Sequence, residues 1–190
     1  MPLLRGNLHA HTTFSDGIRS PEALVQEYEA LGYDFLAITE HEDHENLEWA
    51  RYEAALAKLS PRLLLFRGLE LNYPRFTQHV GRVDGDAETL WVLNHPARYH
   101  LNVDETLDRI AEIRRAGWPL DAIEVSETGR YRALYDTPAI PLAKIATDDA
   151  HYPMHFGRAW VEVDALRSRD AIIRAIRAGD VRAVFRKHSP

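Results

Sequence analysis

Residues 3–11 read Leu3-Leu4-Arg5-Gly6-Asn7-Leu8-His9-Ala10-His11. The run Leu3–Leu8 has the length and apolar content of a buried strand, and it ends in two histidines one residue apart. Residues i and i+2 of a strand point to the same side, so both imidazoles can reach one ion. Outward from this stretch the plan repeats. Phe35–Thr39 ends in Glu40-His41, Leu63–Leu69 in Glu70, Leu90–Leu93 in Asn94-His95-Pro96, and Ile140–Ala146 in Thr147-Asp148-Asp149-Ala150-His151. Further apolar runs lie at Ala122–Val125, Ala159–Val163 and Val181–Phe185. In parallel α/β folds the C-terminal ends of the strands form the active-site face. Five strands thus aim His or acid side chains at one region, and the recurrence carries more weight than any one motif.

Helical patterns separate several of these runs. Ser20-Pro21-Glu22…Leu31-Gly32 has a capping Ser, a Pro in the first turn and a terminating Gly. Asp104…Gly117 repeats this grammar with Leu107, Ile110 and Ile113 as its apolar stripe, and Ser168…Gly179 turns Ile172, Ile173 and Ile176 to the core. A further helix is expected over Glu45–Leu59, stopping before Pro61. Gly81-Arg82-Val83-Asp84-Gly85 reads as a turn. Strand–helix alternation predicts a parallel sheet with crossover helices, either doubly wound or closed into a barrel.

The 190 residues suit one domain, 1–190. Hydrophobic residues make up 45% and charged residues 27%, and four Trp, eight Tyr and six Phe argue against disorder. The absence of Cys excludes disulfides, thiolate zinc sites, iron–sulfur clusters and Cys nucleophiles, so any metal must be held by nitrogen and oxygen. A net charge of −6 has the wrong sign for a dedicated nucleic-acid surface, although bound divalent ions would make the local field positive. The start MPLLRGNLHA has no signal-peptide h-region and no run approaches a membrane span, so the expectation is a soluble cytoplasmic protein with no membrane partner. No GxSxG elbow, P-loop or GxGxxG occurs.

The candidates divide by chemistry. His9 and His11 form a strand-end pair. Asp16, in Thr12-Thr13-Phe14-Ser15-Asp16-Gly17, is a turn residue or a ligand. His41 is a candidate ligand, with Glu40 in the hydrogen-bond network behind it. Glu70, flanked by Leu69 and Leu71, is costly to bury unless charge-paired or metal-bound, and its carboxylate can bridge two ions. His79 and His95 are candidates for a second ion. The acids and His of Asp148-Asp149-Ala150-His151 crowd one strand end, where a cation would relieve their repulsion. Asp149 and His151 share i, i+2 spacing, and Asp148 points the other way, toward structural hydrogen bonds. Arg98 and Arg130 are candidates to clamp a phosphate oxygen.

In order, Gly6-Asn7-Leu8-His9-Ala10-His11-Thr12, Ser15-Asp16-Gly17, Ile38-Thr39-Glu40-His41, Gly68-Leu69-Glu70, His95-Pro96 and Asp149-Ala150-His151 resemble the PHP (polymerase and histidinol phosphatase) superfamily. The wording GNLHAHTTFSDG…GYDFLAITEH…TDDAH is similar to its stand-alone CehA/McbA-like hydrolase branch. The resemblance implies a distorted (β/α)7 TIM-like barrel holding two or three divalent ions, Zn, Mn or Fe, in a cleft at the strands' C-terminal face. It implies His9, His11, Glu70 and Asp149 around one ion. Glu70 would bridge to a second ion with His79 and His95, and Asp16, His41 and His151 would hold a third. Two positions depart from the pattern: Glu40 stands where the family commonly has Asp, and Asp16 replaces a His used by some relatives. The implied activity is hydrolysis of a small-molecule phosphoester, mono- or diester, by a hydroxide bridging two ions, with no separate catalytic side chain. The same ligands would serve a carbamate, ester or phosphonate hydrolase. A non-catalytic metal-binding or polymerase-accessory module is the reading from another class.

Overall fold

Each of the eight apolar runs contains a strand in the computed structural model, which describes residues 3–75 and 77–186. In chain order the strands are β1 (Leu3–Asn7), β2 (Phe35–His41), β3 (Leu64–Tyr73), β4 (Gln78–Asp84), β5 (Thr89–Leu93), β6 (Ala122–Glu124), β7 (Ser126–Glu127), β8 (Arg130–Tyr131), β9 (Ala143–Ile145), β10 (Ala159–Asp164) and β11 (Val181–Phe185). The helices are α1 (Pro21–Ala30), α2 (Trp49–Ala57), α3 (Val103–Arg115) and α4 (Arg169–Ala178). Nine strands form one mixed sheet in the order β11-β10-β1-β2-β3-β4-β5-β6-β9, and β7 pairs with β8 in a separate ribbon. The sheet's two ends, β9 and β11, pack against each other, so the sheet is a nearly closed barrel.

The expected parallel pairing holds for β1-β2-β3 and for β5-β6-β9. Between them β3, β4 and β5 run antiparallel, and β10 runs antiparallel to both β1 and β11. The stretch Gly81–Gly85 is therefore not a turn: residues 81–84 belong to β4. Its two core-facing valines, Val80 and Val83, are separated by Gly81 and Arg82, which breaks the apolar run that marks the other strands. The second helix begins at Trp49 rather than Glu45, after an N-cap residue, Glu48, that makes no side-chain capping bond.

Strand β2 shows how the barrel is built. Phe35 and Ala37 enter one buried cluster with Leu4, Phe66, Val83 and Val163, while Leu36 and Ile38 enter another with α1 residues Leu24, Val25 and Tyr28. A strand buried on both faces reads as a continuous apolar run, as β2 does. Ile172, Ile173 and Ile176 of α4 complete the first cluster and are fully buried, each contributing about 1.5–3 kcal/mol by burial. Helix α4 packs against β5, β9 and β10. Helix α3 packs on the outside against Leu93 and Ile123. Among the described residues, no helix is long and apolar enough to cross a membrane.

Candidate metal centre

Two short motifs meet at the open end of the barrel. Ala10 bridges Ala150 in parallel, with the His11 N–H donating to the Ala150 carbonyl at 2.9 Å. Both alanines are fully buried in the cluster beneath α1. Around Ala10 extended backbone turns His9 and His11 the other way, and around Ala150 a left-handed turn at Asp149, φ 46°, does the same for Asp149 and His151. His9, His11, Asp149 and His151 thereby turn to one centre. β2 brings His41, β3 brings Glu70, β4 brings His79, and the end of β5 brings His95.

The donor atoms crowd together. His9 Nε2 and His11 Nε2 lie 3.0 Å apart. They lie 3.5 and 3.7 Å from Asp149 Oδ1, and 3.3 and 3.5 Å from the two oxygens of Glu70. Donors of a tetrahedral ion with bonds of about 2.0–2.1 Å are separated by roughly 3.3 Å, so these four side chains already have the spacing of a coordination shell. Asp149 Oδ1 is buried and has no hydrogen-bond partner, a costly state unless a cation binds it. Glu70 Oε1 also lies 2.9 Å from His95 Nε2 and 3.1 Å from His79 Nδ1. Asp16 Oδ2 is 3.2 Å from His151 Nε2 and 3.6 Å from His41 Nε2. The structure thus brings all nine expected ligand residues together. His41 stands between two groups, because its Nδ1 is 3.1 Å from Glu70 Oε2. The donor set, six imidazoles and three carboxylates, fits divalent ions of the Zn, Mn or Fe kind.

Electrostatics agree with a cation site. Burial works against a charge on His9, yet the carboxylates of Glu70, Glu124 and Asp149 outweigh it and raise its pKa well above the usual value. Burial also opposes ionisation of Glu70, but His9, His79 and His95 hold it well below the carboxylate range. His11 is lowered, first by burial and then by the neighbouring His9 and His151. The carboxylates therefore demand positive charge, and protons on histidine supply it in the absence of an ion. Divalent ions would displace those protons.

Supporting residues hold the ring in place. Glu124 Oε1 lies 2.8 Å from His9 Nδ1 and accepts from the Thr147 hydroxyl at 2.6 Å, and Glu124 Oε2 accepts from the His95 N–H at 2.7 Å. This fixes the His9 ring with Nε2 toward the centre. The Asn94 amide donates to Glu70 Oε1 at 2.9 Å, and the His79 N–H donates to the Tyr99 hydroxyl at 3.0 Å. The sequence reading gave none of these residues a role. Glu124 carried the same mark as Glu70, an acid inside an apolar run. Glu40 accepts from the backbone and hydroxyl of Thr12 and from the Ser15 hydroxyl, so it braces the loop that presents Asp16. Gly17 closes that loop tightly: a Cβ there would sit 2.3 Å from the His11 carbonyl oxygen. Asp148 turns away as expected, accepting from Tyr28 and from the N–H groups of Gly157, Arg158 and Ala159. His95 and Asp149 both have positive φ, 25° and 46°, a strain that non-glycine residues keep where the surroundings enforce it. Arg98 is exposed on the 3-10 turn after His95, and Arg130 is exposed on β8, outside the main sheet.

Residues 7–124 match the family model of the PHP domain, and residues 140–181 match that of a PHP-associated region. Solved structures share the fold. A two-domain protein from Bacteroides vulgatus, described as containing a predicted PHP-like metal-dependent phosphoesterase, superposes with a TM-score of 0.69 at 20% identity. That match covers 97% of this chain but 65% of the other, so the chain spans a little under two thirds of that protein. PsfC from Pseudomonas syringae superposes with a TM-score of 0.68 at 16% identity, covering 98% and 93% of the two chains. An amidohydrolase from Chromobacterium violaceum, with bound sulfate and no metal, gives 0.64 at 16% identity, covering 95% and 97%. No curated protein matches the chain significantly.

Proposed function

Because the chain belongs to the PHP-domain family, we propose that it is a metal-dependent phosphoesterase acting on a small-molecule phosphoester. The observation that carries this reading is the His9–His11–Glu70–Asp149 cluster, four buried side chains with coordination-shell spacing and a carboxylate oxygen that faces imidazoles without a hydrogen bond. These four would hold one ion. Glu70 would extend to a second ion with His79 and His95, and Asp16, His41 and His151 would hold a third. Two or three such ions, when bound, supply a nucleophile at neutral pH and Lewis-acid stabilisation of the reacting group.

The chain's own residues set the conditions. Glu124 and Asn94 orient His9 and Glu70, so the two oxygens of Glu70 face different neighbours. Asp16 is 42% exposed and His41, His79 and His151 are partly exposed, while Glu70 is buried, so the ring is open to solvent with Asp16 at its rim. The ring brings three carboxylates and Glu124 behind His9 a fourth, so three divalent ions would exceed their charge. That surplus favours an anionic phosphoryl group over a neutral electrophile. Arg98, exposed one turn beyond His95, would be the cation to meet a phosphate oxygen.

The test is hydrolysis of a chromogenic phosphomonoester and a phosphodiester by Mn²⁺-reconstituted protein, with and without chelator. Chelator-sensitive turnover of at least one ester is expected. Turnover of neither by ion-loaded protein would overturn the phosphoesterase reading and redirect the search to carbonyl electrophiles such as carbamates.

A further inference from the structure

Of the large apolar side chains that the fold leaves exposed, three belong to segments that adjoin the candidate ligand His151. Ile18 is 50% exposed, Tyr152 47% and Met154 70%. The Ile18 N–H donates to the carbonyl of His151 at 3.1 Å, which places Ile18 against the strand end that carries that ligand. The Tyr152 ring stacks at 6.5 Å from the His151 ring and packs edge-on at 5.5 Å against His155. Met154 lies in the 3-10 turn that follows. The three residues thus lie next to the Asp16–His151 part of the ring, where Asp16 is the most exposed of the candidate ligands. Exposed apolar side chains grouped at a site mark a contact surface, and Met makes such a surface adaptable.

The β2 flank of the same Asp16–His41–His151 group has the opposite character. At the end of β2, the exposed acids Glu42 and Asp43 accept from the backbone and side chain of Asn72. They would repel a second phosphate or a polyanionic extension. We infer that the substrate is a soluble monoester with one phosphoryl head and an apolar alkyl or aryl arm, the arm lying on Ile18, Tyr152 and Met154. The inference rests on the phosphoesterase reading above and adds the chemistry of the leaving group. The acidic flank also argues against an anionic membrane as the source of that arm.

Titration calorimetry with ethyl-, butyl- and hexylphosphonate tests it on Mn²⁺-loaded protein, because these alkylphosphonates carry no ester bond to hydrolyse. Hexylphosphonate is expected to bind at least about tenfold more tightly than ethylphosphonate, a modest share of what full burial of four methylenes would give. In a Met154→Ser/Tyr152→Ser variant the gain should fall to about twofold or less, with ethylphosphonate affinity unchanged. Equal affinities across the series in the unmodified protein would overturn the inference, while metal-dependent binding of ethylphosphonate would leave the phosphoesterase reading standing. A chain-length gain that survives in the variant would overturn the assignment to these residues. Failure of any phosphonate to bind loaded protein would remove both. Cosedimentation with phosphatidic-acid vesicles, lost in the variant, would also overturn the soluble-ester assignment.

Discussion

Glu70→Gln is expected to lower metal-dependent turnover by about a thousandfold or more and to reduce the number of ions bound per chain. Loss of an outer partner of a metal ligand costs roughly 10–100-fold, and Glu70 would itself be a ligand shared between ions. Its Oε1 faces His9, His79 and His95, and its Oε2 faces His11 and His41, so one carboxylate sits at the junction of the ring. Glutamine keeps the volume and the bond from Asn94 to an oxygen, but it removes the charge. Elemental analysis and kcat/KM measured on the same preparation read both effects, and an unchanged circular dichroism spectrum shows that the fold is kept. Undiminished turnover with a full complement of ions would contradict the assignment.

Asp148→Ala is expected to have the largest effect on stability, about 4 kcal/mol, with metal ligation left intact in the molecules that fold. The buried carboxylate accepts at 2.7–2.8 Å from the N–H groups of Gly157, Arg158 and Ala159, and at 2.8 Å from Tyr28. Its own N–H donates to Asn7 Oδ1 at 2.9 Å. Truncation strands several buried donors at once, at roughly 1–3 kcal/mol each and less than additively. For a domain of this size that corresponds to a fall in Tm of about 10 °C. Calorimetric unfolding of both proteins measures it. A change within about 1 °C would show that water or rearrangement satisfies the stranded N–H groups.

The elements that were legible in the sequence are those with a local cause. β2 is a continuous apolar run because both of its faces are covered, and the Gly179 that ends α4 has the left-handed φ of 87° that a helix stop uses. His9-Ala10-His11 and Asp149-Ala150-His151 were legible because each alternates about a buried alanine. What local spacing could not show is that the two alanines bridge each other, since the pairing joins positions 140 residues apart. β4 was missed for a related reason. Its apolar content is two valines, and its stability comes from antiparallel partners on both sides. Glu124 was missed because its role depends on where His9 and His95 arrive. Glu40 belongs to the hydrogen-bond network around the ligands, but through Thr12 and Ser15, whose hydroxyl lies 3.4 Å from His11 Nδ1, rather than directly behind His41.

The central claim is that the ring around Glu70 holds metal. Anomalous diffraction at the manganese edge, from crystals grown with Mn²⁺, tests it most directly. The account predicts two or three anomalous peaks inside the ring, one of them at bonding distance, about 2.0–2.2 Å, from His9, His11, Glu70 and Asp149. Peaks confined to the surface, or none at all while Mn²⁺ saturates the solution, would contradict it.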